Sequence, residues 1–99
     1  MAAYMIASFD ISDEKEYEGY VPGMMPFLLK YDPEILVADY TATALEGESR
    51  RVNVVIRFES EEKLMAFYND PDYKPFKEKR LRSTTNGTLI VAKEFVLPA

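Results

Sequence analysis

Residues 88–96, TLIVAKEFV, carry apolar side chains at both strand parities: Leu89 and Val91 on one, Ile90, Ala92 and Val96 on the other. The opening stretch, AYMIASFDI (3–11), does the same, with Met5, Ala7, Phe9 and Ile11 on one face and Ile6 on the other. Successive side chains of a strand point to opposite faces, so such strands need cover on both sides. RVNVVIRFE (51–59) alternates more cleanly: Val52, Val54, Ile56 and Phe58 share a face, and Asn53, Val55 and Arg57 share the other.

Helical patterns lie between these strands. Ser12 reads as a helix N-cap, with Asp13 and Glu14 in a favourable first turn. Tyr17, Tyr20 or Val21, Met24, Leu28 and Tyr31 follow at helical spacing, and Pro22 and Pro26 should divide the segment into helices near 13–20 and 23–31. YDPE (31–34) reads as a turn, ILVADYTATAL (35–45) as a second strand, and EGES (46–49) as a hairpin hinged at Gly47. Ser60 with Glu61 and Glu62 starts another helix, with Leu64, Phe67 and Tyr68 as its apolar side. Asp70 before Pro71 should cap the next helix, and Asn86-Gly87 should turn into the last strand. The order is β-α-β-β-α-β with split helices: an α+β, ferredoxin-like single domain over 1–99 with a four-stranded antiparallel sheet. Helices cover one face of such a sheet. The apolar residues on the other face predict a homodimer that closes sheet against sheet.

Charge and composition remove several function classes. The 99 residues have a net charge of −5 and contain no cysteine and no histidine. Disulfides, thiolate nucleophiles and the usual zinc and haem ligands are therefore absent, and neither a metal site nor a cofactor is expected. The start lacks a basic segment and no apolar run approaches a membrane span, so the expectation is a soluble cytoplasmic protein without a membrane partner. Residues 1–72 hold six bases against fifteen acids, which disfavours a nucleic-acid partner. Residues 73–82 reverse the sign, with five bases against one acid. In a helix, Tyr73, Lys77 and Arg80 or Leu81 would fall in line beside a buried Phe76, while Lys74, Glu78 and Arg82 would form an exposed row. Two readings are open: a solvated face, or Lys77 or Arg80 turned inward to a carboxylate of Asp10 or of a ligand.

Several stretches together resemble the bacterial family known as domain of unknown function 1330, within the dimeric α/β-barrel superfamily. They are YMIASFDISD leading to EYEGY, ALEGE (44–48), and above all FESEEKLMAFYNDPDYKPFKEKR (58–80), with its Pro-x-Tyr step followed by Lys77 and Arg80. The chain departs from the family pattern at YDP (31–33), where a glycine pair is usual. It departs again at VADYTA (37–42), where an arginine followed by glycine is common. The resemblance implies a homodimeric ferredoxin-like fold with a cleft between sheet and helices, and brings no catalytic residues. Superfamily relatives include cofactor-independent monooxygenases, lactone isomerases and haem enzymes, so fold alone does not select a reaction.

The expected cleft is apolar and rich in tyrosine. Tyr17, Tyr20, Met24, Tyr68, Tyr73, Lys77 and Arg80 are its candidate ligand-binding residues for a small aromatic or enol-like molecule. In a catalytic reading Tyr20 and Tyr68 orient the ligand, Asp10 is the base and Arg80 stabilises negative charge. The same aromatics equally serve as core, Asp10 as a cap, and Asn53 and Arg57 as dimer contacts near Asp39 or Glu59. A non-catalytic interaction or ligand-sensing module is the alternative.

Overall fold

Strand β1 (Ala3–Ile11) runs through the middle of an antiparallel sheet, between β3 (Val52–Phe58) and β4 (Thr84–Lys93), and β2 (Glu34–Asp39) extends the sheet beyond β3. This computed structural model describes residues 1–98. The order β2-β3-β1-β4 gives the ferredoxin-like arrangement, with α1 (Glu14–Tyr17) and α2 (Tyr20–Leu29) after β1, and α3 (Glu61–Tyr68) and α4 (Lys74–Ser83) after β3. The sheet is open, with β2 and β4 as its edges, so one chain does not close a barrel.

The parities read for β1 and β3 hold, whereas β4 ends at Lys93 and leaves Val96 outside the sheet. Met5, Ala7, Phe9, Val52, Ile56 and Phe58 are buried beneath the helices. Phe58 stacks on Phe67 of α3 at 6.1 Å between ring centroids, and Phe67 meets Tyr73 at 4.4 Å. Burial of such side chains contributes roughly 1.5–3 kcal/mol each and fixes α3 and the start of α4 on the sheet. On the other face, register aligns Val37, Val55, Ile6 and Ile90 in one aliphatic row across all four strands. Asp39, Asn53, Ser8 and Thr88 form a parallel polar row. Val37 and Ile90 are exposed.

The structure corrects several local expectations. The first helical break falls at Glu18-Gly19, not at Pro22. Pro22 sits in the first turn of α2, where its missing amide would have had no partner. Asp32, with φ of 55°, ends the α2 turn in the left-handed region, which an aspartate tolerates better than most residues. Strand β2 stops at Asp39, whose carboxylate accepts from the amide and hydroxyl of Thr41 at 2.7 and 3.1 Å. That local turn competes with the strand, so residues 40–51 form a loop instead of a hairpin. Gly47, with φ of 72°, lies in this loop.

Asp70 does not cap α4. It is buried and binds Lys30 at 2.7 Å and Tyr31 at 2.5 Å, tying the end of α2 to the α3–α4 junction, while Pro75 rather than Pro71 occupies the first turn of α4. Asn86-Gly87 is a bulge inside β4, not a turn before it. β4 follows α4 without a loop, and its register against β1 shifts between Ser8 and Asp10, with Asn86 at φ of 55°. A left-handed residue is what such a bulge requires, and a sequence reader meets it as a turn signal.

Candidate functional site

Between the helix-covered sheet face and α2 lies a cavity of about 220 Å³. Its floor comes from Met5, Ala7 and Phe9 of β1 and from Val54 and Ile56 of β3; its roof from Val21, Met24, Met25 and Leu28 of α2. Ile35 and Tyr40, 44% and 41% exposed, stand at the β2 rim. Tyr17, Tyr20 and Arg80 supply the polar end. Close-packed interiors leave few voids larger than a water molecule, so this space is a structural feature in its own right.

Helix packing aims these groups. Gly23 lets α2 approach α4: a Cβ there would lie 2.2 Å from the Phe76 ring. The last carbonyls of α4 are satisfied by Ser83 Oγ to Lys79 O, Thr84 Oγ1 to Arg80 O, and the Ser12 and Asp13 amides to Ser83 O. This anchoring holds Arg80 under the α1–α2 junction, where it is 6% exposed. Its guanidinium lies 5.9 Å from the Tyr20 ring centroid, beside the Tyr20 and Tyr73 hydroxyls. Those two hydroxyls bond each other at 2.8 Å, and Tyr17 and Tyr40 pair more loosely at 3.5 Å. Among the described residues Arg80 makes no ion pair, and its Nε has no hydrogen-bond partner. Burial pushes the Tyr20 and Tyr17 phenols well above their ordinary range, so both remain neutral donors near neutral pH. Arg80 remains protonated.

The basic run thus divides its labour. Arg80 turns inward, Lys79 and Arg82 pair with Glu16 of α1 at 3.7 and 2.6 Å, and Lys74 is exposed. Lys77 donates to the Tyr68 carbonyl at 3.0 Å and sits 4.0 Å from the centroid of its ring.

Of the residues singled out from sequence, Tyr17, Tyr20, Met24 and Arg80 line the cavity together. Tyr73 lies behind Tyr20 as its hydrogen-bond partner. Tyr68 and Lys77 do not reach the cavity; Tyr68 lines a separate cleft of about 310 Å³ with Thr84, Thr85 and Thr88, into which Arg80 also faces. Asp10 is separated too, because strand alternation sends it opposite Phe9. There its carboxylate accepts from the Arg51 amide at 2.9 Å and from Asn86 and Arg50 at 3.2 Å, which hold it below the usual aspartate range. A carboxylate so satisfied is a weak base, and it does not converge with Tyr20 and Arg80. Asn53 and Arg57 stay on the helix-free face, where Asn53 donates to the carbonyls of Arg50 at 2.9 Å and Asp39 at 3.4 Å, and Arg57 lies 3.9 Å from Glu34. The sequence reading missed the β-strand lining, Val54 and Ile56 above all, although their shared parity with Val52 and Phe58 was the signal.

A family model described as domain of unknown function (DUF1330) matches residues 2–94. The chain belongs to this family. No protein of curated function matches the sequence. The DUF1330 chain is similar to several solved structures. The protein of unknown function RPA0582 from Rhodopseudomonas palustris superposes with a TM-score of 0.82 at 14% identity, covering 97% of this chain and 84% of that one. A dimeric ferredoxin-like protein of unknown function from Jannaschia sp. CCS1 gives 0.75 at 8% identity, with 95% and 100% covered. SnoaB, a cofactor-independent oxygenase from Streptomyces nogalater, gives 0.62 at 10% identity, with 96% of each chain covered. At such identities the likeness establishes the ferredoxin-like fold of this DUF1330 member. Among the described residues no helix is long and apolar enough to cross a membrane, and no cluster of potential metal ligands occurs.

Proposed function

We propose that this protein binds a small, largely apolar molecule of one or two rings in the cleft between α2 and the sheet, and works as a homodimer paired through its helix-free sheet face. The cavity carries the first part. At about 220 Å³ it exceeds the ~150 Å³ of an apolar cavity that takes up benzene, and falls below the ~300 Å³ at which drug-sized pockets begin. The aliphatic row Val37, Val55, Ile6 and Ile90, together with neighbours described as dimeric, supports the second part.

Two readings of the cleft follow from different observations. The likeness to a cofactor-independent oxygenase supports turnover of an aromatic or enolisable substrate, with Tyr20 orienting it and Arg80 stabilising developing negative charge. The lining itself favours a ligand sensor without turnover, because it has no carboxylate and its phenols are poor bases at neutral pH. Thermal denaturation with one- and two-ring aromatics, neutral and charged, tests the binding shared by both. A ligand at one hundred times its Kd adds about 2.7 kcal/mol of stability. Ala38 of β2 also lines the cavity and is exposed, so Ala38→Phe should abolish that gain without disturbing the fold. If no member of the panel raises the melting temperature, the cleft reading fails. Oxygen uptake with the binding compounds then separates turnover from sensing.

A further inference from the structure

We infer that the cavity takes a ligand bearing a single anionic oxygen group, a carboxylate, phenolate or enolate, seated between Arg80 and the Tyr20–Tyr73 hydroxyl pair with its apolar body against α2 and the sheet. This deepens the proposed binding of a small apolar molecule and rests on it.

A buried cation is expensive unless a charge or a full set of acceptors meets it. This chain has acids to spare, seventeen against twelve bases, yet among the described residues no acid pairs with Arg80. Asp70 is committed to Lys30 and Tyr31, Asp10 to Arg50, Arg51 and Asn86, and Glu16 to Lys79 and Arg82. Arg80 is buried all the same, lines an apolar cavity, and keeps an unsatisfied Nε. The Tyr20 and Tyr73 hydroxyls meet the guanidinium as neutral acceptors, which leaves its Nε and its charge uncompensated. In the Tyr20–Tyr73 bond one hydroxyl donates and the other accepts, which leaves the accepting group's own proton without a partner in that bond. A guanidinium fork and a phenol proton on one wall of an apolar space form a complement to one oxyanion. One cation matches one negative charge, so a dianion would be left half compensated.

The test is calorimetric titration of the full chain with 2-naphthoate and with its neutral isostere 2-naphthamide, on wild type and Arg80→Met. Wild type should bind the carboxylate at least tenfold tighter than the amide. Arg80→Met should lose that preference while retaining the amide, and without ligand should melt no lower than wild type, since it removes an uncompensated buried charge. A merely structural Arg80 predicts the opposite shift in melting temperature. Equal binding of carboxylate and amide by wild type overturns the anion inference and leaves the apolar cleft intact. Failure of wild type to bind either compound overturns both. Should Arg80→Met not fold, Arg80→Gln carries the same comparison, and the wild-type preference stands as a test without any variant.

Discussion

The hydroxyls of Tyr20 and Tyr73, residues from two different helical segments, meet at 2.8 Å behind the wall of the cavity. Both side chains are nearly free of solvent, 7% and 1% exposed, so neither hydroxyl can exchange this partner for bulk water. Tyr20→Phe should therefore cost about 1–3 kcal/mol, the penalty for stranding a buried polar group. Tyr20→Phe with Tyr73→Phe should cost less than the two single changes together, because the double change removes both polar groups. A urea-unfolding double-mutant cycle measures the coupling, and strict additivity would contradict a direct bond.

Gly23 should not accept even a methyl group. The added carbon would stand 2.2 Å from Cε1 of Phe76, a rigid ring that also packs on Phe27 at 5.8 Å between centroids. Gly23→Ala is expected to destabilise by roughly 1–3 kcal/mol through overpacking, outweighing its gain in helix propensity. Adding Phe76→Leu should recover part of the loss in the same unfolding assay.

Acid should weaken the fold in part through Asp70. The Lys30 ammonium, then the Tyr31 hydroxyl and the Asp72 amide, hold its carboxyl at about 2, below its ordinary 3.8. The folded state thus binds protons less readily than the unfolded one. The contribution of this group is full above the unfolded value and disappears as pH falls from near 4 towards 2. Asp70→Asn should be less stable at neutral pH and show a shallower decline over that window. Asp10, Glu16 and Glu59, also lowered by their partners, should leave a residual slope. Denaturation midpoints of both proteins across this range check the expectation.

Asp10 should matter to the loop and not to the cleft. It joins Arg50 and the Arg51 amide to Asn86 of the β4 bulge. Asp10→Ala should speed amide exchange at Arg51 and leave the affinity for 2-naphthoate within about twofold of wild type, as for sites without shared partners. A large loss of affinity would return Asp10 to the binding machinery.

Pairing through the helix-free face makes a further expectation. Ile6→Glu places a charge in the middle of the aliphatic row, beside Val55 and Ile90. Sedimentation should find the wild-type chain paired at micromolar concentration and the variant single. A single wild-type species would remove the dimer.

The sequence shows most of this architecture where periodicity is unambiguous. The β1 and β3 alternation places Met5, Phe9, Val52 and Ile56 on the buried face, and Ser60 caps α3 through the Lys63 amide as its position implies. What it conceals is non-local. Asn86-Gly87 has the composition of a turn, and only pairing with β1 turns it into a bulge. Asp70 looks like a cap until Lys30 and Tyr31, distant in sequence, arrive beside it. Within the cavity, Tyr17, Tyr20, Met24 and Arg80 follow from helical spacing and the family block. That Arg80 would be inside without an acid required knowing where every acid had gone.

The chamber and the aliphatic row lie on opposite sides of the sheet, Met5, Ala7 and Phe9 facing the one and Ile6 the other. Each copy would therefore saturate as an independent compartment, tracing a plain hyperbola with one occupant per chain. Dilution that splits the pair should leave the half-saturation point where it was.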